Sequence, residues 1–190
     1  SIYLKTLTRI AELINAHLGK AGFVQHILDT IIHCTNAERG ALFIKTAKGI
    51  ELAAGQNIDH TTIKDANELS LTAIRELEKK KIIFTFDALS DPDFNVKKSV
   101  ILNKIRSLMC IPLSISGNTI GAIYLDSRLK TGIFGPRDKE FLLTIAKILS
   151  SVIEKSFIFQ RITEENILLK SRIIEEIGKG YIIGNSSTRM

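Results

Sequence analysis

The hydrophobic period changes twice along this chain, and those changes limit the folds open to it. Ile2, Leu4, Leu7, Ile10, Leu13, Ile14 and Leu18 recur at helical spacing, so residues 2–17 read as an amphipathic helix that Gly19 ends. Phe23, Val24, Ile27, Leu28, Ile31 and Ile32 repeat the pattern over about 21–35, and the two helices form a hairpin. After residue 36 the apolar residues come in short runs instead. Gly40 to Ile44 reads as a buried strand, Lys48-Gly49 as a turn and Ile50 to Gln56 as the returning strand. Ala66 to Lys80 reads as a helix, and Ile82 to Phe86, β-branched and aromatic, as a strand. Asp87 to Asn95 is a loop and Val96 to Asn103 a short helix or turn.

Arg106 to Ser114 and Thr119 to Asp126 are two more strands joined at Gly117-Asn118, with Pro112 marking an edge, a bulge or a strand end. Pro136 then opens a long helix to about 178. Two hairpins and a lone strand, with no βαβ repeat, imply an α+β fold on an antiparallel sheet of five or six strands. The terminal helices cover one face, and short helices and loops cover the other.

Composition excludes several classes. The 190 residues, 45% hydrophobic and 24% charged, suffice for one domain with an appendage. Uncharged stretches fall short of the ~20 apolar residues a membrane span needs, and the opening segment is no secretory leader. Cys34 and Cys110 make no disulfide framework, which points to a reducing, cytoplasmic compartment. The net charge of +6 lies mostly in 91–149, without tryptophan or a dense basic stripe, so direct nucleic-acid contact is not expected. His26 and His33 are two helical turns apart near Cys34, too few and too loose for a metal site. No Ser/His/Asp set or paired carboxylates stand out, and no P-loop is present, so the chain reads as non-enzymatic. It opens on Ser1, and its last residues close no element, so it reads as a piece of a longer protein.

Four stretches in order carry a family resemblance: Ala37-Glu38-Arg39-Gly40-Ala41-Leu42-Phe43, Asp91-Pro92-Asp93-Phe94, Arg106 to Leu113, and Gly121-Ala122-Ile123-Tyr124-Leu125-Asp126, followed by Phe134 and the long helix. Together they resemble the GAF domain family over residues 1 to about 160. The resemblance implies a sensory module that binds a small molecule between the sheet and the middle loops, and that dimerises through its terminal helices. It implies ligand contacts at Phe84, Phe94, Asn95, Ser99, Leu102, Ile105, Arg106, Ser107 and Met109. Arg106 is the candidate for a bidentate carboxylate or phosphate contact. Lys97, Lys98 and Lys104 add positive charge nearby, which is also the pattern of a solvated face. Leu125-Asp126-Ser127-Arg128 stands where cyclic-nucleotide-binding relatives carry an Asn-Lys pair, which argues against that ligand. The cofactor is left unassigned.

The final ten residues, Tyr181 to Met190, resemble the opening of the AAA+ ATPase module of sigma-N dependent transcriptional activators. That resemblance implies a GAF domain over 1–155, a signalling helix over 156–178 and the start of an ATPase module over 179–190. A heptad places Ile145, Val152, Phe159, Asn166 and Ile173 at a, and Ile148, Lys155, Ile162, Leu169 and Glu176 at d. One Asn at a favours a parallel, in-register dimer, so the expected interface is Phe159, Ile162, Asn166, Leu169 and Ile173. The expected partners are a small effector, a second copy of the chain and the downstream ATPase. Two alternatives stay open: a ligand-free dimerisation or protein-contact module, and the sensor of a histidine kinase or cyclic-dinucleotide enzyme.

Overall fold

The computed structural model describes residues 1–17, 22–64, 69, 82–96 and 98–184, the side chains of 17, 99, 157, 160 and 178–184 aside. It divides into two compact units, 1–150 and 151–190. The first unit opens with α1 (Ile2–His17) and α2 (Phe23–Thr35), as the helical spacing requires. Asn36 ends α2 in the left-handed conformation, φ 55°, which asparagine tolerates better than most residues.

Five strands follow: β1 (Arg39–Thr46), β2 (Gly49–Asn57), β3 (Ile83–Thr85), β4 (Ser107–Ile115) and β5 (Asn118–Ser127). A short helix, α3 (Lys98–Leu102), precedes β4. The strands form one antiparallel sheet in the order β2-β1-β5-β4-β3. The long helix α4 (Pro136–Gly184) begins in the first unit and makes up most of the second. The helix expected over 66–80 lies outside the described residues, Leu69 apart.

Three local departures have physical causes. The β4–β5 turn centres on Ser116 and Gly117, both at positive φ, one residue earlier than the Gly117-Asn118 signal. Two positive φ values match the right-handed twist of a tight hairpin. Pro112 sits inside β4, and among the described residues β3 pairs with Leu108 to Cys110 and not with the proline, whose missing N–H therefore breaks no described β3–β4 pair. Finally, α4 runs to Gly184 rather than to about 178, through Gly178 and Gly180. Glycine costs a helix about 1 kcal/mol per residue, which weakens it without ending it.

Register assigns each strand residue to a face. Gly40 stands beside Ile32 of α2 and Leu125 of β5, so its face is the one α2 covers. Leu42, Met109, Ile111, Ile123 and Leu125 share that face, by alternation and cross-strand pairing. The first turns of α4 bury Phe141, Leu142, Ile145 and Leu149, and Ser150 Oγ accepts the Ser114 N–H at 3.0 Å. The opposite face carries Ala41, Phe43, Leu108, Cys110, Ala122 and Tyr124.

Candidate functional site

The face opposite α2 is roofed by the segment between β3 and β4. Ala88, Phe94, Val100 and Ile105 from that segment, with Ile63 and Leu69, pack on Phe43, Leu108, Cys110 and Tyr124 in one apolar cluster. Two aspartates shape the roof. The Asp87 carbonyl accepts the N–H groups of Ser90 and Asp91 at 3.1 and 2.9 Å. The Asp91 carbonyl accepts those of Phe94 and Asn95 at 3.0 and 2.7 Å, and Asp91 Oδ1 accepts the Asp93 N–H at 2.9 Å. These successive turns drive Phe94 inward, as Asx turns do when a carboxylate substitutes for a backbone acceptor.

Arg106 anchors the roof to the sheet. Its Nε and Nη2 donate to Asp87 Oδ1 and Oδ2 at 3.2 and 3.3 Å, and its backbone joins Ala88 and Ser127. Burial acts to raise the Asp87 carboxyl, but the Ser90 hydroxyl, the Arg106 guanidinium and the Leu89 N–H outweigh it and hold the group below its ordinary range. The guanidinium fork expected to take a ligand anion is thus occupied from within the chain.

The deepest polar groups lie at one end of this face. Arg39 on β1 stands directly across from Asp126 on β5, and donates from Nε and Nη2 to its two carboxylate oxygens at 2.7 and 2.6 Å. The Tyr124 hydroxyl donates to Asp126 Oδ2, and the Tyr124 ring meets Phe43 edge-on at 6.3 Å. All three polar residues are buried. Burial pushes the Asp126 carboxyl up against the Arg39 fork and the Tyr124 hydroxyl, which pull it down. Burial likewise lowers Arg39, but the two bonds to Asp126 more than reverse it, so the guanidinium stays charged, and three donors converge on the two Asp126 oxygens as they do on a carboxylate.

The sequence-derived contacts separate into groups. Phe94 and Ile105 meet in the roofed cluster. Asn95 is half-buried beside them in the chain, and Leu102 is exposed. Phe84 pairs with Met109, and Met109 with Leu125, so both residues belong to the α2 face. Ser107 is buried at the sheet end, its hydroxyl within reach of the Phe86 and Lys130 carbonyls at 3.3 and 3.0 Å. The Ser99 side chain lies outside the described residues. Sequence reasoning gave no role to Arg39, Asp126 or Tyr124. A charged residue opening an apolar strand and another closing one was the available signal. Only the cross-strand register makes them a pair.

This architecture is a known one. The family model described as GAF domain matches residues 22–153. The chain belongs to the GAF domain family. Its fold is similar to the GAF domain from Acinetobacter phosphoenolpyruvate-protein phosphotransferase, with TM-score 0.60 and 16% identity over 85% of this chain and 98% of that one. It is also similar to free methionine-R-sulfoxide reductase from Neisseria meningitidis in complex with its substrate, with TM-score 0.62 and 19% identity over 80% and 88%. A third likeness is to the A. Aeolicus nlh2 GAF domain in an inactive state, with TM-score 0.59 and 11% identity over 82% and 97%. No curated protein matches the chain in sequence. At these identities the structural likenesses establish the fold.

Within this GAF domain the free thiols are poor nucleophiles. Burial raises Cys110, and burial also raises Cys34 despite a hydrogen bond with Thr6. Among the described residues no His, Cys, Asp and Glu group is arranged to hold a metal, and no helix is long and apolar enough to cross a membrane. The second unit is a helix whose apolar side chains are uncovered: Phe159 is 74% exposed, Ile162 51%, Leu169 55% and Ile173 55%. Asn166 is exposed among them, its Nδ2 donating to the Ile162 carbonyl at 2.9 Å.

Proposed function

We propose that this GAF domain is a non-enzymatic signal-input module. A small molecule binds on the roofed sheet face, and the chain, paired through residues 156–178, conveys the change to a downstream AAA+ ATPase of a sigma-N dependent activator. The uncovered apolar series on the second unit carries the reading. A helix that exposes Phe159, Ile162, Leu169 and Ile173 buries them against something in its working state, and a heptad with one Asn fits a second copy. The resemblance of Tyr181 to Met190 supplies the ATPase context. The roof supplies the sensing element, since loops and a five-residue helix held by Asp87–Arg106 reorganise at less cost than the sheet beneath. For a ligand to signal, it must bind one arrangement of the roof more tightly than another, and coupling of about 1–3 kcal/mol is typical of such systems.

A second reading, a module that contacts protein without a small molecule, draws on the packing of the same face. Val100, Ile105, Leu108 and Cys110 there are fully enclosed. Native mass spectrometry of the purified chain, repeated after denaturation, separates the two. A dimer carrying a mass that is lost on denaturation supports the sensor. A dimer without added mass, unchanged by a metabolite library, favours the second reading, and a monomer at tens of micromolar overturns the pairing on which both depend.

A further inference from the structure

The α1–α2 hairpin leaves an open groove of about 330 Å³, on the far side of the molecule's chemistry from the roofed face. Ile2, Lys5, Thr6 and Arg9 line it from α1, and Thr30, His33 and Cys34 line it from α2. None of these residues is acidic. Lys5 and Arg9 are one helical turn apart, so they share a face. Among the described residues neither takes part in an ion pair. The hydroxyls of the lining are already committed, Thr6 to the Ile2 carbonyl at 2.9 Å and Thr30 to the His26 carbonyl at 2.7 Å. The donors left to face the groove are an ammonium, a guanidinium and an imidazole. The nearby carboxylate on α2, Asp29, is engaged by His60 Nδ1 at 3.2 Å. The His60 ring lies 5.4 Å from that of His33.

The geometry points to a binding site for a soluble phosphate-bearing anion in this groove. Arg9 presents the planar fork that matches two phosphate oxygens, Lys5 adds a mobile point charge, and His33 donates from the opposite wall. The volume exceeds that of an inorganic ion and lies at the lower end of the range for small organic ligands, so a phosphorylated small molecule fits it better than phosphate alone. Ile2, at the groove's edge, offers apolar contact to the organic body.

The test is an NMR titration of the ¹⁵N-labelled 190-residue chain with inorganic phosphate and then pyrophosphate, at ionic strength held constant with sodium chloride. The expected result is saturable amide shifts confined to residues 2–9 and 30–34, tighter for pyrophosphate. Lys5→Glu/Arg9→Glu weakens binding by about tenfold or more, since charge-assisted hydrogen bonds dominate it. Lys98→Glu/Lys104→Glu, on the other basic segment, leaves it unchanged. Both pairs are exposed, and if the reversed charges disturb folding, Lys5→Gln/Arg9→Gln serves. Shifts that never saturate, that spread over the chain, or that persist equally in the α1 variant overturn the site. Cosedimentation with phosphatidylglycerol vesicles in place of saturable binding of free phosphate overturns it too.

Discussion

The Arg39–Asp126 pair shows what a buried charge demands of its surroundings. Two ions leave water here, and the cost is offset only because the fork, the carboxylate and the Tyr124 hydroxyl satisfy one another. Removing one partner strands the other. Asp126→Asn should therefore lower stability by about 3–5 kcal/mol, measured by urea unfolding, and Arg39→Met by a similar amount. The double variant Arg39→Met/Asp126→Leu should recover a large part of the loss, because it leaves no unpaired ion. Singles that cost under about 1 kcal/mol would show that water reaches the pair. The neighbouring Glu38 makes a prediction in pH. Burial acts to raise its carboxyl, but the Arg128 N–H at 2.8 Å and guanidinium at 2.7 Å outweigh burial and hold it below its ordinary range. A carboxyl more acidic in the folded state stabilises the fold above its unfolded value, near 4.3, and loses that contribution as pH falls through the folded value. The stability gap between the native chain and Glu38→Gln should thus be present at pH 7 and close as pH falls below 4.3 toward 3. A gap that holds constant across that range would remove Arg128 as the cause.

At the scale of elements, packing between strands turns on single atoms. Gly121 of β5 passes so close to β1 that a Cβ there would meet the Phe43 carbonyl oxygen, a backbone atom that cannot swing aside. Gly121→Ala should cost about 1–3 kcal/mol by forcing the two strands apart, again read by urea unfolding. A neutral result would mean that the strands separate more readily than their pairing implies. The same closeness explains what the sequence revealed and what it withheld. Periods of 3.6 and 2 were enough to place α1, α2, the paired strands and the start of α4, because each element buries one face of its own. Period alone does not say which face meets which neighbour. Phe84 and Met109 were implied as pocket residues by the family resemblance, yet the β3–β4–β5 register sets them on the same face as Leu125, the one opposite the roof. The Asp87–Arg106 bridge spans nineteen residues, and no local pattern announces it. Phe94, which the resemblance implied as a ligand contact, is packed in the roofed cluster behind the Asp91-Pro92-Asp93 turn.

On the scale of the whole molecule, the first unit packs an apolar core on each face of its sheet, although Leu4, Phe86, Val96, Leu102 and Leu129 are exposed, whereas the described apolar side chains of the second unit from Ile158 to Ile177 all stand in water. Such exposure is tolerable for a helix that has a partner and a liability for one that has none. The proposed pairing therefore makes a sharp demand. Sedimentation velocity of the native chain at tens of micromolar should give a dimer. Ile162→Glu/Leu169→Glu, which places charges in the seam, should give a monomer while leaving the melting of the first unit unchanged, because both positions are exposed. Asn166 separates pairing by heptad from non-specific hydrophobic association. Its polar group in the seam costs stability and selects register, so Asn166→Leu should tighten association while broadening the species beyond a dimer. Equal association by the native chain and the Ile162→Glu/Leu169→Glu variant would place the contact elsewhere. The exposed series on 151–184 would then await a different partner from the one proposed.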